Sequence, residues 1–176
     1  MSANNWYVIT GGPSAGKTTL ISRLEQLGYQ TVPEAARVII DKAVAKGLAA
    51  GELRSDEKHF QEDVARLKTK LEAKYDKNTP TFFDRGMHDT LAYLRLYDFR
   101  IEKWVEELMP RSNYKKVFLL EPLGDYEQDY ARTESRDTVK QLHQLLHEAY
   151  AEYGMKPIRI KATTVDERLK TILDQI

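Results

Sequence analysis

The chain has 176 residues, 41% hydrophobic and 31% charged, which is room for one full core at roughly 100 to 200 residues per domain but not for a second catalytic domain. Its 27 basic and 27 acidic side chains cancel, removing the broad positive field on which non-specific duplex binding relies. The absence of cysteine excludes disulfides, thiolate zinc sites, iron–sulfur clusters and cysteine nucleophiles.

Trp6-Tyr7-Val8-Ile9-Thr10 is a β-prone run closed by Gly11-Gly12-Pro13. From Thr18 to Gly28, apolar Leu20, Ile21, Leu24 and Leu27 recur at helical spacing, with Gly28 placed to end the helix. Tyr29 to Val32 reads as a second strand leading to Pro33-Glu34, and a helix is expected from Ala35 to about Ala50. Between Asp56 and Asp76, Phe60, Val64, Leu67, Leu71 and Tyr75 mark one face of a long amphipathic helix. Thr81-Phe82-Phe83-Asp84 is a third strand ending in an acid, followed by helices near Met87 to Phe99 and Glu102 to Met109, the second stopped by Pro110. Lys116 to Glu121 is a fourth strand whose continuous apolar core, Val117 to Leu120, suits burial on both faces. Val139, Leu142, Leu145, Leu146, Ala149, Tyr150 and Tyr153 define a helix stopped at Gly154, and Pro157 to Lys161 is the fifth strand. Thr164 and Glu167 form a capping-box pattern that opens a last helix to Ile176. Strands alternating with helices predict a three-layer α/β fold with a parallel sheet. No repeat, long linker or transmembrane run interrupts it, and residues Met1 to Asn5 carry no secretory pattern, so one domain over residues 1–176, in a cytoplasmic protein, is the expectation.

Gly11-Gly12-Pro13-Ser14-Ala15-Gly16-Lys17-Thr18 matches G-x-x-x-x-G-K-[ST] at every fixed position, between a predicted strand and a predicted helix. The glycines let the backbone curl so that successive N–H groups point at phosphate oxygens, and the helix N-terminus adds its positive dipole end. Lys17 is then expected to reach the β- and γ-phosphates and Thr18 to sit on Mg²⁺, with Thr19 beside them. Asp84, at the end of the third strand, opens onto the same rim of a parallel sheet. It can reach the metal through water, or it can cap the helix that begins near Gly86; Arg85 can meet the transferring phosphate or the acceptor.

The phosphate loop, Val32-Pro33-Glu34-Ala35-Ala36-Arg37, Phe83-Asp84-Arg85-Gly86 with Asp89 and Tyr93, Leu119-Leu120-Glu121-Pro122, and Arg132-Thr133-Glu134 together resemble the small P-loop ATPases related to the ribosylnicotinamide-kinase domain of the bacterial NAD regulator. The resemblance covers nearly the whole chain and implies a nucleoside- and nucleotide-kinase-like fold with strand order 2-3-1-4-5. It also implies a role for Glu34, since in the similar deoxynucleoside kinases a glutamate at this place takes the acceptor's proton; the bland alternative is an acid favouring the N-terminal dipole of the following helix. Arg37, Asp89 and Tyr93 are candidates for the acceptor pocket, Arg37 either orienting an acidic acceptor or pairing with Glu34.

Residues 122–137 lack a buried face and look like a lid, in which Arg132 and Arg136, four apart, can place cations on the γ-phosphate, or else form a solvated charged helix start. Ala162 and Thr163, after the fifth strand, fall where related folds wrap backbone around the base. No guanine signature is present; Thr69-Lys70-Leu71-Glu72 is the nearest and has the wrong acid, which favours ATP. His59, His88, His143 and His147 read as surface or helix-flank residues, and most of the ten tyrosines as core. The expectation is an ATP- and Mg²⁺-dependent phosphotransferase acting on a small, nucleoside-like acceptor without nucleic acid as a specific partner. The alternative is a nucleotide-binding switch or slow NTPase whose output is a protein partner.

Overall fold

A computed structural model describes residues 4–123 and 135–176. Five strands, β1 (Trp6–Gly11), β2 (Gln30–Val32), β3 (Thr81–Asp84), β4 (Lys116–Leu120) and β5 (Ile158–Ile160), form one sheet in the order 2-3-1-4-5. All four pairings are parallel, with Ile9 opposite Asp84 on one side and Phe118 on the other. The order therefore agrees with the sequence expectation. Every C-terminal strand end opens onto one rim, so Gly11, Val32, Asp84, Leu120 and Ile160 deliver the segments that follow them to a common edge.

Helices cover both faces because side chains alternate along each strand. Tyr7, Ile9, Phe82, Phe118, Leu120 and Ile160 pack with Leu20 and Leu24 of α1 (Lys17–Gln26) and Leu169 and Ile172 of α8 (Val165–Leu173). On the opposite face Trp6, Val8, Phe83 and Val117 meet Tyr150 of α7 (Arg136–Ala151). Around it lie α4 (Glu57–Glu72) and α5 (Met87–Leu96), whose Ala65, Met87, Leu91 and Leu94 join Leu119, Leu142 and Leu146. Against α4 lies α2 (Ala35–Val44), through Ile40, Phe60 and Val64. The capping box opening α8 is present: Glu167 N–H donates to Thr164 Oγ1 (3.3 Å) and Thr164 N–H to Glu167 Oε2 (3.2 Å).

Several helices are shorter than the periodicity suggests, and two of them show why. The stretch expected to be helical from Ala35 to about Ala50 stops at Val44. Gly47 takes φ +86°, its N–H bonds the Val44 carbonyl (2.9 Å), and the Leu48 N–H bonds the Ala43 carbonyl (3.0 Å). This is a Schellman termination that a left-handed glycine permits, and helix resumes as α3 (Ala50–Leu53). The helix expected from Glu102 to Met109 is confined to α6 (Lys103–Glu106), after which the chain tightens into a 3₁₀ turn at Met109–Arg111 around Pro110. The histidine expectation is corrected as well. His88 is fully buried among Tyr114, Tyr150 and Tyr153, and His143 is buried with Nε2 3.4 Å from Glu121 Oε2. Among the described residues no cluster of three or more His, Asp or Glu is arranged to hold a metal ion, and no helix is long and apolar enough to cross a membrane.

Candidate active site

The phosphate loop links β1 to α1. Gly16, the N-cap of α1, takes φ +85°, a left-handed conformation that disfavours a β-carbon and turns the chain into the helix. Lys17 is the first residue of α1; its side chain is buried and folds back so that Nζ donates to the Gly12 carbonyl (2.7 Å). Burial and the nearby Arg85 guanidinium lower the Lys17 ammonium to about 8. Thr18 and Thr19 are exposed beside it.

Opposite the loop, four strand-end and helix-start residues converge. Arg85 is buried with φ +66°, rare for a non-glycine residue. Its Nε donates to Glu34 Oε1 (3.0 Å) and its Nη1 to Asp89 Oδ2 (2.9 Å). Asp89 is held further by the Thr10 hydroxyl (2.7 Å to Oδ2) and the Tyr150 hydroxyl (2.5 Å to Oδ1). Burial alone would raise the Asp89 and Glu34 carboxyls, but Arg85 and a second cation, Lys68 for Asp89 and Lys17 for Glu34, outweigh it and hold both below the usual carboxylate range. The strain at Arg85 is thus maintained by two ion pairs on a guanidinium aimed between them.

Asp84 lies next to this pair under different conditions. It is buried, and among the described residues its Oδ1 has no hydrogen-bond partner. Burial, together with the Glu34 charge, raises its carboxyl to about 7. A buried carboxylate oxygen without a donor carries a desolvation cost that a cation can relieve. It does not serve as a cap, because the N-cap of α5 is Gly86 and no side chain caps that helix. The α5 amides are met instead by tyrosines: the Gly86 N–H donates to the Tyr150 hydroxyl (3.1 Å) and the Met87 N–H to the Tyr114 hydroxyl (2.7 Å).

A cavity of about 400 Å³ runs from the phosphate loop past Glu34, Arg85 and Asp89 to a wall of Arg37, Phe60, Gln61 and Tyr93. Its two ends differ in chemistry. One is lined by Ser14, Gly16, Lys17, Thr18 and Thr19 of the phosphate loop; the other combines apolar Ile40, Phe60 and Val64 with the polar groups of Gln61 and Lys68. Lys68 is buried, donates to the Gly86 carbonyl (2.6 Å) and is lowered by burial to about 8.

Residues 6–168 match the family model described as "AAA domain". The chain belongs to this AAA domain family. No curated protein matches the sequence. Among solved structures, this AAA domain resembles deoxyadenosine kinase from M. mycoides with bound dCTP, at 14% identity and TM-score 0.66, with 97% of each chain covered. Thymidylate kinase from Candida albicans gives 14% identity and TM-score 0.70, covering 97% of this chain and 90% of that one. The NadR protein in complex with NR gives 17% identity and TM-score 0.69; 98% of this chain is covered, and it spans 50% of the NadR chain. At such identities the likeness is one of fold, that of the P-loop nucleoside and nucleotide kinases.

Of the residues singled out in the sequence, Pro13, Ser14, Gly16, Lys17, Thr18, Thr19, Glu34, Arg37, Arg85, Asp89 and Tyr93 line the cavity of this AAA domain. Ala162 and Thr163 are exposed in the β5–α8 loop and are not part of its lining. Arg132 lies outside the described residues, as does most of the segment expected to be a lid, whereas Arg136 is exposed as the first residue of α7. Sequence reasoning missed Gln61 and Lys68. The signal was present, because both sit on the face of α4 that buries Val64 and Ala65, at spacings of three, four and seven, where polar side chains have no reason to be unless they face a partner or a cavity. Tyr150 reads as a core tyrosine and Thr10 as the end of a strand, because nothing local marks their hydroxyls as partners of Asp89.

Proposed function

We propose that this AAA domain is an ATP-dependent phosphotransferase acting on the hydroxyl of a small, nucleoside-like acceptor, with residues 1–176 forming one catalytic domain. The observation that carries the reading is the continuous cavity that joins the phosphate loop to the Glu34–Arg85–Asp89 cluster. A bare NTPase needs no second, apolar-walled compartment beside its phosphate site.

In this reading the loop amides from Gly11 to Thr19 and the Lys17 ammonium hold the phosphates. Glu34, ionised because Arg85 and Lys17 lower its carboxyl, accepts the proton of the acceptor hydroxyl as that oxygen bonds to the γ-phosphorus and the bond to the bridging oxygen breaks. A weak base suffices, since in a loose transition state the hydroxyl becomes acidic only late. Arg85 supplies positive charge between acceptor and phosphate. Asp84 and Thr18 would hold Mg²⁺, which when bound neutralises phosphate oxygens; the unpartnered Asp84 oxygen and the exposed Thr18 hydroxyl fit such a group. Asp89 and Tyr93 bound the acceptor, and Arg37 lies at its outer wall.

The test is incubation with ATP, Mg²⁺ and a panel of nucleosides and nucleoside monophosphates, followed by mass spectrometry for a product heavier by one phosphoryl group. One phosphorylated acceptor is expected. Slow ADP release with no phosphorylated product from any acceptor would replace the kinase by a nucleotide-binding switch.

A further inference from the structure

The phosphate loop is tied to the rest of the rim by a residue remote from it in sequence. Arg168, in α8, is buried, and each of its three nitrogens donates to a different backbone carbonyl. Nη1 meets Ala15 of the phosphate loop (2.6 Å), Nη2 meets Glu121 at the end of β4 (2.9 Å), and Nε meets Lys161 at the end of β5 (2.8 Å). The Lys161 carbonyl also accepts the Thr163 N–H (2.9 Å), so the same guanidinium pins the turn that contains Ala162 and Thr163. All three of these bonds are to carbonyl dipoles, and the Glu121 carboxylate adds an electrostatic attraction.

We infer that Arg168 is a positioning residue that fixes the phosphate loop and the β5–α8 loop relative to one another, so that one nucleotide can engage both. The inference rests on the phosphate loop being the nucleotide site and on the β5–α8 loop meeting the base, as expected from the sequence. The geometry requires a guanidinium, because three carbonyls from three chain segments converge on one planar fork that a single ammonium cannot span. Without the fork each loop keeps its local structure, the phosphate loop through Lys17 and Gly12 and the other through the Thr163 turn, but the distance between them is no longer set. A triphosphate alone touches only the first loop, whereas a nucleoside triphosphate must satisfy both and depends on that distance.

The experiment compares Mg·ATP with Mg·tripolyphosphate by calorimetry on the parent, Arg168→Ala and Arg168→Lys, with thermal melts alongside. Lysine keeps the charge and the aliphatic stem and serves as the decisive variant should alanine fail to fold. We expect Arg168→Lys to bind ATP roughly 10- to 100-fold more weakly, the range for a displacement of about 1 Å between anchoring groups, and tripolyphosphate less than about threefold more weakly. Three results overturn the inference: ATP binding by Arg168→Lys within about twofold of the parent, which makes the residue a charge rather than a clasp; equal losses for the two ligands, which confines its effect to the phosphate loop; or a parent that binds no ATP, which overturns the phosphate-loop reading as well.

Discussion

Replacing Glu34 by glutamine separates a proton acceptor from a structural acid, because the two roles differ widely in magnitude. Glutamine keeps an oxygen to accept from Arg85 Nε, now 3.0 Å from Glu34 Oε1, and removes only the charge. Arg85 retains its second partner, Asp89, at 2.9 Å. Glu34 makes no side-chain cap on α2, so the helix start loses nothing but a favourable charge. The stability cost of weakening one charge-assisted bond is therefore roughly 1 kcal/mol, a fall in Tm of about 2 to 4 °C for a chain of this size. Loss of a general base instead slows transfer by about 10² to 10⁴, equivalent to roughly 3 to 5 kcal/mol of barrier. The assay is kcat with the acceptor found in the panel, read as phosphorylated product, beside ATP affinity by calorimetry. Normal ATP binding with a rate at least about a hundredfold lower is expected. A fall of less than about fivefold, far below that range, would refute the assignment and leave Glu34 as the anchor of Arg85 alone.

Lys17→Ala should abolish tight Mg·ATP binding while leaving the fold intact, since the ammonium donates to the Gly12 carbonyl of its own loop; unchanged affinity on calorimetry would remove the loop from the phosphate site. Asp84 carries a pH signature. Its folded carboxyl stands at about 7 against an ordinary 3.8, so the native state holds this proton more tightly than the unfolded chain does, and the stability this gives is lost as pH rises from about 4 to about 7. In metal-free buffer Asp84→Asn should match the parent near pH 4 and exceed it at pH 8 by up to roughly a few kcal/mol, whereas parallel Tm-versus-pH curves would show that burial does not penalise the charge. The same variant should lose most of its Mg²⁺ dependence and activity. Tyr150→Phe deletes the hydroxyl shared by Asp89 and the Gly86 N–H and should cost about 1 to 3 kcal/mol of stability; a denaturant midpoint equal to the parent's would mean that water replaces both bonds.

The sequence determined the elements by itself, whereas their order around the sheet came from the family that it resembles. Its signals are local: alternating or continuous apolar runs for the strands, a fixed glycine-lysine-threonine spacing for the phosphate loop, and a Thr164–Glu167 cap whose two bonds lie within four residues. The Gly47 termination of α2 was equally local and could have been read, because a glycine followed by an apolar residue after a helical run is the Schellman pattern. The partners of those residues were decided only in the folded chain. Arg85 finds Glu34 across 51 positions, Asp89 finds Thr10 across 79 and Tyr150 across 61, and Arg168 reaches Ala15 across 153. Parallel pairing brings these groups to one edge, and desolvation there gives chemically similar carboxyls different proton affinities: Asp89 and Glu34, beside a guanidinium, fall, while Asp84, buried next to Glu34 with an oxygen that has no donor among the described residues, rises. Spacing along a chain carries no record of such encounters, since burial and distance are properties of the packed sheet and not of any one segment.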